Sequence, residues 1–319
     1  MAYPENCTVI AEILLTRFNA FDGFRIPMFV LFLIIYLLIY LENVLIIYII
    51  FSSVHLKALM FLIIQSMCTC DLLNISNIIP KFLNDVLDER PTVTVTGCIV
   101  QCQVYGTTGD VLCFHYILMS YDRYLAVCHP LRYSSFVNNR IYVQVVIAFW
   151  IISASITSVI SGLQSQLQFC GHNTIHHFFC DSSPFMDLAT SDTTHIRLFI
   201  VVISFFMLLI TALSVFVTYV FIIHAILKIP SSSGRKKTFS TCSSHLIVFS
   251  MQNSLSLGIY ALPAKVVTPQ LTNTFTFLFF FWTPLVSPLV YAFNNKQFRA
   301  ECLKKIRRGD RRRMCGSLR

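Results

Sequence analysis

Seven long apolar stretches constrain the fold of this sequence more than any other feature. A membrane-spanning helix needs about 20 predominantly apolar residues, and seven stretches qualify, at residues 26–51, 58–83, 97–127, 141–163, 197–227, 240–262 and 272–293. Barrel strands are shorter, about 10 residues of alternating polarity. Because only helices and closed barrels satisfy the backbone in hydrocarbon, the sequence predicts an all-α membrane protein with a seven-transmembrane helix bundle.

The low charge content agrees with this interpretation. Charged residues make up 12% of the 319 residues, whereas soluble domains carry about 25%. We therefore expect three parts: an extracellular N-terminus at 1–25, the transmembrane domain at 26–293, and a basic tail at 294–319.

The distribution of Lys and Arg predicts the orientation. The connections after the third and fifth spans are basic, the loops after the second and fourth spans are acidic, and the basic side of a membrane protein faces the cytoplasm. The tail is the most basic segment, with Lys296, Arg299, Lys304, Lys305, Arg307, Arg308, Arg311, Arg312, Arg313 and Arg319. No soluble domain is left to present a nucleic-acid surface, so an anionic lipid leaflet is the favoured partner of the tail. The N-terminus is then outside, where Asn6 begins a glycosylation sequon.

Two acidic residues lie inside predicted spans, where charge is costly and therefore a functional candidate. Asp71 lies in the middle of the second span, either as a hydrogen-bonded packing residue or as a site for a cation or water. Asp110 lies in the outer half of the third span, either as a ligand contact or as a capped interior polar group.

The most specific motif follows the third span. An Asp122-Arg123 pair at a membrane boundary could be an interfacial anchor, but it stands within SYDRYLAVCHPLRY at 120–133. Three further segments are similarly distinctive: HHFFCDSSP at 176–184, SSSGRKKTFSTCSSHL at 231–246, and PLVSPLVYAFNNKQF at 284–298. Together these four segments resemble the odorant-receptor branch of the rhodopsin-like G-protein-coupled receptors, and the similarity covers nearly the whole chain.

The resemblance implies a function and a coupling site. It implies a receptor in the cilia of olfactory sensory neurons that binds small odorants and activates a stimulatory, olfactory-type Gα, which raises cyclic AMP. Arg123 would lie in a cytoplasmic cleft, held by Asp122 at rest, and outward movement of the sixth helix would open a groove for Gα. A short amphipathic helix would follow the seventh span. The implied coupling residues are Asp122, Arg123, Tyr124, Tyr219, Lys237, Ser287, Pro288 and Tyr291.

The resemblance also implies an extracellular disulfide, Cys98–Cys180, that holds the second outer loop over the bundle. A ligand pocket would lie beneath this loop in the outer half of the bundle. Its candidate residues are Gly106, Thr107, Asp110, Ile203, Met207, Asn253, Ser256, Tyr260, Phe277 and Phe280.

Several positions depart from the family pattern. Thr190 stands where a second loop disulfide usually has the partner of Cys170, so that bridge is not expected and Cys170 could be a free thiol. Leu112 replaces an acidic residue that would complete a sodium site with Asp71. Further departures include Glu42 for Gly, Ser287 for Asn, and Gln252-Asn253-Ser254 for Phe-Tyr-Gly.

Other protein classes explain less of the sequence. A transporter or channel would leave the motifs at 120–133 and 231–246 unexplained, and no internal repeat is visible. A receptor for a peptide or an amine fits the spans, but 231–246 favours the odorant branch. An enzyme is not expected, since no phosphate-binding loop, HExxH or triad-like motif is present. We expect no cofactor, and the loop histidines His172, His176 and His177 match no standard metal-ligand spacing.

The orientation gives a direct test. An epitope tag fused after Arg319 should be invisible to antibody added to intact cells and become visible after permeabilisation, because the tail is predicted to be cytoplasmic. A tag placed before the first span serves as the control and should be labelled without permeabilisation. Labelling of the tail on intact cells would contradict the orientation.

Overall fold

The computed structural model describes residues 10–15, 23–133, 138–260 and 269–316. The predicted glycosylation site at Asn6 lies outside these residues. In chain order the elements are β1 (Glu12–Leu15), α1 (Arg25–Phe51), α2 (Leu59–Leu87), β2 (Thr92–Thr94), α3 (Val95–Cys128), α4 (Asn139–Gln164), β3 (Thr174–Ile175), α5 (Ser182–Asp187), α6 (Thr194–Leu227), α7 (Ser232–Tyr260), α8 (Pro269–Phe277), a π-helical turn (Leu278–Trp282), α9 (Thr283–Phe293) and α10 (Lys296–Gly316).

The protein is mostly helical, and the described part of each predicted span falls on a helix or a continuous helical run. In the described part of the chain, four helices are long and apolar enough to cross a membrane by themselves: Arg25–Phe51, Leu59–Leu87, Arg140–Gln164 and Thr194–Leu227. The last predicted span is a shorter apolar helix, Thr274–Val290, interrupted by the π-helical turn. α6 leaves most of its apolar side chains exposed, among them Phe205, Phe216 and Val201. Exposure of so large an apolar surface is unfavourable in water but not in lipid.

The helix ends differ from the apolar stretches that predicted them. α7 begins at Ser232, whereas the apolar stretch begins at 240, because helical hydrogen bonding continues through the polar GRKKTF segment. The predicted outer end of this span, at 262, lies outside the described residues.

α3 is the central helix of the bundle. It packs against α2, α4, α6 and α7. In the inner half, Val111 and Met119 of α3 join Phe61 and Ile63 of α2 and Phe298 of α10 in one buried apolar core. This core fixes the position of α3 relative to α2 and joins α10 to the bundle.

An aromatic cluster fills the outer end of the bundle. Phe179, from the loop before α5, lies 4.9 Å from Phe280 of the π-helical turn, and Tyr105 of α3 lies 5.4 Å from the same ring. Phe178 contacts Phe82 of α2 at 5.4 Å. Aromatic pairs at these separations are favourable beyond the area they bury, so the loop is held in the mouth of the bundle.

A small sheet, which the sequence did not predict, lies over the same end. Its strand order is β2-β1-β3. β1 pairs antiparallel with β2 (Ile13 opposite Val93) and parallel with β3 (Leu14 opposite Thr174). The sheet therefore joins the N-terminal segment to both the first and the second outer loops.

Disulfides add covalent links at this end. Cys98 at the start of α3 is bonded to Cys180 in the second outer loop. Cys170, which the sequence suggested could be a free thiol, is also disulfide-bonded. The expectation of a free thiol at Cys170 was wrong because it considered only position 190 as the source of a bonding partner. Thr190 occupies that position, and its N–H donates to the carbonyl of Gln168 at 2.9 Å.

A side chain of α1 compensates for a proline of α9. Pro288 has no N–H, so the carbonyl of Pro284, four residues earlier, lacks its helical partner. The buried Asn43 amide donates to this carbonyl at 3.4 Å and to the carbonyl of Ile39 at 2.9 Å. The proline is therefore tolerated because a neighbouring helix supplies the missing donor.

Gln101 links three elements at the outer end. Its Nε2 donates to the carbonyl of Asn77 on α2, and the Asn77 amide donates back to the carbonyl of Gln101, both at 3.0 Å. Its Oε1 accepts from the N–H of Cys180 at 2.7 Å. Gln101 is 7% exposed, so water is a poor substitute for these bonds.

Gln101→Leu should lower the melting temperature of the purified protein. The substitution leaves the buried N–H of Cys180 without its acceptor, at a cost of roughly 1–3 kcal/mol. Gln103→Leu is the matched control, because the side chain of Gln103 donates to Ser158 at the exposed α3–α4 edge. Equal melting temperatures for the two variants would contradict the role assigned to Gln101.

Candidate functional site

The inner end of the bundle contains a small cleft between α2, α3, α7 and the end of α9. Its lining residues are Met60, Met119, Arg123, Ser244, His245, Asn294 and Asn295. The sequence predicted only Arg123 of this set. The others come from segments that are distant in the chain, and only their packing shows that they share a surface.

Asp122 holds the side chain of Arg123 at the cleft. Its Oδ2 lies 3.0 Å from Nη2 of Arg123, and the Asp122 side chain is 1% exposed. The hydroxyl of Tyr133 donates to the other carboxylate oxygen at 2.7 Å. Burial, aided by the Asp122 charge, raises the pKa of Tyr133, so the phenol remains a proton donor. The carboxylate is therefore satisfied on both oxygens.

The guanidinium of Arg123 faces the cleft. It contacts the sulfur of Met60 on α2, and its side chain is 12% exposed. A thioether is a weak acceptor compared with a carbonyl or a carboxylate. Arg123 could therefore exchange this contact for a better acceptor at little cost.

Hydrogen bonds hold α7 against its neighbours at the inner end. The hydroxyl of Tyr219 on α6 donates to the carbonyl of Cys242 at 2.7 Å and lies 3.0 Å from Nδ1 of His245. The Asn294 amide donates to the hydroxyl of Ser244 at 2.7 Å. Any outward movement of α7 would have to break these three contacts.

The other predicted coupling residues have local contacts. The hydroxyl of Tyr124 lies 3.1 Å from Nε2 of His129, and its ring packs against Phe221. Ser287 donates to the carbonyl of Thr283 at 2.8 Å, next to Pro288 in α9. The side chains of Lys237 and Tyr291 lie outside the described residues.

The predicted pocket residues do not all face one cavity. Thr107 bonds Thr157 of α4 at 2.6 Å, and a Cβ on Gly106 would lie 3.1 Å from Cγ2 of Thr157, so both residues face α4. Phe277 packs against Phe32 of α1 at 5.2 Å. Phe280 faces the aromatic cluster described above.

The other described pocket residues lie on α3, α6 and α7. Asp110, Ile203, Met207, Asn253 and Ser256 are half-buried. Asn253 and Ser256 donate to the carbonyls of Phe249 and Gln252, on their own helix, at 2.8 and 3.0 Å. These bonds can be exchanged for bonds to a ligand. The side chain of Tyr260 lies outside the described residues.

Asp71 is buried, with 6% exposure. Leu112, at the position of the missing acidic residue, is 7% exposed and belongs to the inner apolar core. Among the described residues, no group of three or more His, Cys, Asp or Glu side chains could hold a metal ion.

His177 is a loop residue whose environment the sequence did not reveal. It stacks on Phe178 at 4.9 Å and meets Phe179 edge-on at 4.6 Å. It is 6% exposed, and burial lowers its pKa to about 4. It is therefore a neutral member of the aromatic cluster at the mouth.

Comparisons with known proteins agree on one family. A family model described as "Olfactory receptor" matches residues 32–308. The chain is similar to human olfactory receptor 11L1, with 33% identity over 99% of this chain and 96% of the relative. It is also similar to human olfactory receptor 10K1, with 34% identity over 94% of this chain and 96% of the relative. Rat olfactory receptor 1468 is 33% identical over 95% of this chain and 98% of its own length.

His177 should make the stability of the protein sensitive to acid. Its pKa is about 4 in the fold and about 6.5 when unfolded, so the unfolded state binds more protons as the pH falls. Stability should therefore be full above about pH 6.5 and decrease as the pH falls towards 4. His177→Phe should reduce the drop in melting temperature between pH 7.5 and 5.

The neighbouring residue provides the control. His176 is exposed, so His176→Phe should keep the acid sensitivity of the parent protein. If the melting temperatures of the His177→Phe and His176→Phe proteins fall by the same amount between pH 7.5 and 5, the titration of His177 is not the cause of the acid sensitivity.

Proposed function

We propose a function for this chain on the basis that it belongs to the olfactory receptor family. The family predicted from the four motifs is thereby confirmed, and it is a family of receptors rather than enzymes. We propose a multi-pass receptor that crosses the plasma membrane seven times and responds to a small odorant. The response is activation of a stimulatory, olfactory-type Gα and a rise in cyclic AMP.

The proposed orientation places the N-terminus outside the cell and α10 in the cytoplasm. The distribution of Lys and Arg along the chain supports it. α10 also supports it, because Leu303 and Ile306 are exposed on this basic helix. Apolar and basic side chains together suit the surface of an anionic leaflet. The olfactory cilium is the proposed location.

The inner cleft supports the coupling site. Arg123 stands at its surface, restrained by Asp122 and by a weak acceptor on Met60. The contacts of Tyr219 and Asn294 hold α7 against α6 and against the residues that follow α9. We propose that this is the resting arrangement. In the active arrangement α7 moves outward, and Arg123 contacts the C-terminal helix of Gα.

Thermodynamic linkage couples odorant binding at one end of the bundle to Gα binding at the other. A ligand shifts a conformational equilibrium only by its difference in affinity for the two states. An odorant that binds the open arrangement more tightly therefore favours Gα binding, and Gα raises the affinity for the odorant by the same factor.

The ligand region is proposed to lie in the outer half, beneath the aromatic cluster. Its half-buried residues Ile203 and Met207 are apolar, whereas Asp110, Asn253 and Ser256 are polar. Small-ligand pockets are mostly apolar with a few placed polar groups. This composition favours a mostly apolar odorant that carries a polar group.

Arg123→Ala should abolish the odorant-evoked rise in cyclic AMP while the receptor still reaches the cell surface, because the cleft loses its only described arginine. Arg299→Ala is the matched control, since Arg299 is an exposed arginine at the start of α10 and should leave the response close to that of the parent receptor. A full response from Arg123→Ala would refute the assigned coupling site.

Asp110→Ala should shift the dose–response curve for an activating odorant by about tenfold, the equivalent of one lost hydrogen bond of roughly 1.4 kcal/mol. Surface expression should not fall. Asp110→Asn keeps the size of the side chain and separates the effect of charge from that of shape. Identical curves for parent and Asp110→Ala would remove Asp110 from the pocket.

A further inference from the structure

Three buried cysteines meet at the outer end of α3. Cys98 and Cys102 are four residues apart in this helix, so they lie one above the other on the same face. Cys180, in the second outer loop, is bonded to Cys98 with a Cα separation of 5.3 Å. Cys102 is a free thiol. A thiol beside a disulfide is the arrangement from which thiol–disulfide exchange proceeds.

Cys102 contacts the bonded loop cysteine directly. Its Sγ donates to the carbonyl of Cys180 at 3.4 Å. Adding the covalent bonds on either side of this contact places the Cα atoms of Cys102 and Cys180 at most about 8.6 Å apart. A disulfide needs a Cα separation of about 4.4–6.8 Å, so a local shift of about 2 Å or less brings the pair within range.

The surroundings keep Cys180 close to this turn of α3. The N–H of Cys180 donates to Oε1 of Gln101 at 2.7 Å, and Gln101 lies between Cys98 and Cys102 in the helix. The three cysteines belong to one buried apolar cluster that also contains residues of β1 and α5. Cys98 and Cys180 are 0% exposed and Cys102 is 6% exposed. This burial keeps external thiols away, so the site favours a reaction among its own three sulfurs.

We propose that Cys102 is an alternative α3 partner of Cys180, so that thiol–disulfide exchange moves the loop bridge from Cys98 to Cys102. In this exchange the Cys102 thiolate attacks Sγ of Cys180. The Cys102–Cys180 bond forms, the Cys98–Cys180 bond breaks, and Cys98 leaves as a thiolate. The proton that Cys102 loses is matched by the proton that Cys98 takes up. One disulfide and one thiol are present before and after, so the step needs no external oxidant or reductant.

The two bridges differ in where they hold the loop. Four residues of α3 correspond to about 6 Å along the helix axis, so the exchange moves the covalent anchor one turn towards the centre of the bilayer. Phe179 immediately precedes Cys180 and packs against Tyr105 of α3 at 5.6 Å. The exchange therefore changes how deeply the aromatic residues of the loop enter the mouth of the bundle. This inference does not depend on the proposed odorant or G protein.

A time course on the purified parent receptor tests the exchange. The receptor is incubated at pH 8.5, because the thiolate is the attacking species. Samples are then denatured and alkylated at pH 6, and digested without reduction by chymotrypsin, which can cut after Tyr105 and Phe179. The α3 peptide that is linked to Cys180 carries one alkyl group, on Cys102 before exchange and on Cys98 after it. Tandem mass spectrometry distinguishes these two positions.

The share of linked peptide alkylated at Cys98 should rise with time of incubation. An alkyl group that stays on Cys102 throughout would overturn the proposal. Cys113 is the internal control, because it is a free thiol of the same helix but lies about 16 Å further along the axis. It should be alkylated in every sample.

Cys98→Ser tests the reach of Cys102 in a second way. Without Cys98, the thiols of Cys102 and Cys180 should form a disulfide during secretion, and their two electrons pass to a protein disulfide of that oxidising compartment. Peptide mapping should show Cys102 linked to Cys180, and the Cys98→Ser/Cys102→Ser double variant should lack this link. A Cys180 that is alkylated in Cys98→Ser, or linked to any other cysteine, would contradict the proposal. If Cys98→Ser does not fold, the time course on the parent receptor decides alone.

Discussion

Hydrocarbon offers no partner for a backbone N–H or C=O group, and much of this structure follows from that constraint. Helices satisfy most of these groups internally. Where a helix is interrupted, a side chain from elsewhere must supply the partner, as Asn43 does for the carbonyl that Pro288 leaves free. Gln101 likewise supplies an acceptor for the backbone N–H of Cys180 in the second outer loop. These buried amides place α1 against α9, and the loop against α3, because few other partners are within reach.

α3 connects the two ends of the molecule. Its outer end carries Cys98 and Gln101, which hold the second outer loop, and its inner end carries Asp122 and Arg123 at the cleft. Between them, Val111 and Met119 lie in a closely packed core. Packed interiors transmit displacement because they deform little. On the proposed function, a ligand beneath the loop and a Gα subunit at the cleft would therefore act on the same rigid helix.

The sequence predicted the helices better than the contacts between them. The described part of each apolar stretch is helical, because length and apolarity are local properties. The start of α7 at Ser232 was missed because a helix can continue through polar residues beyond the lipid. The three-stranded sheet was missed because β3 has two residues and β2 has three, too few to form a recognisable pattern. Gly106 and Thr107 lie on the predicted helix, but they face α4.

The sequence alone determined that the chain is a helical membrane protein of the olfactory receptor family, because long apolar stretches and contiguous motifs can be recognised without a fold. It also identified Asp122 and Arg123, which are neighbours in the chain. Only the tertiary structure decided which residues join Arg123 in the cleft, that Tyr133 satisfies Asp122, and that Cys170 is bonded although Thr190 is not a cysteine. These pairings depend on how helices and loops pack, and packing brings together residues whose distance along the chain carries no signal.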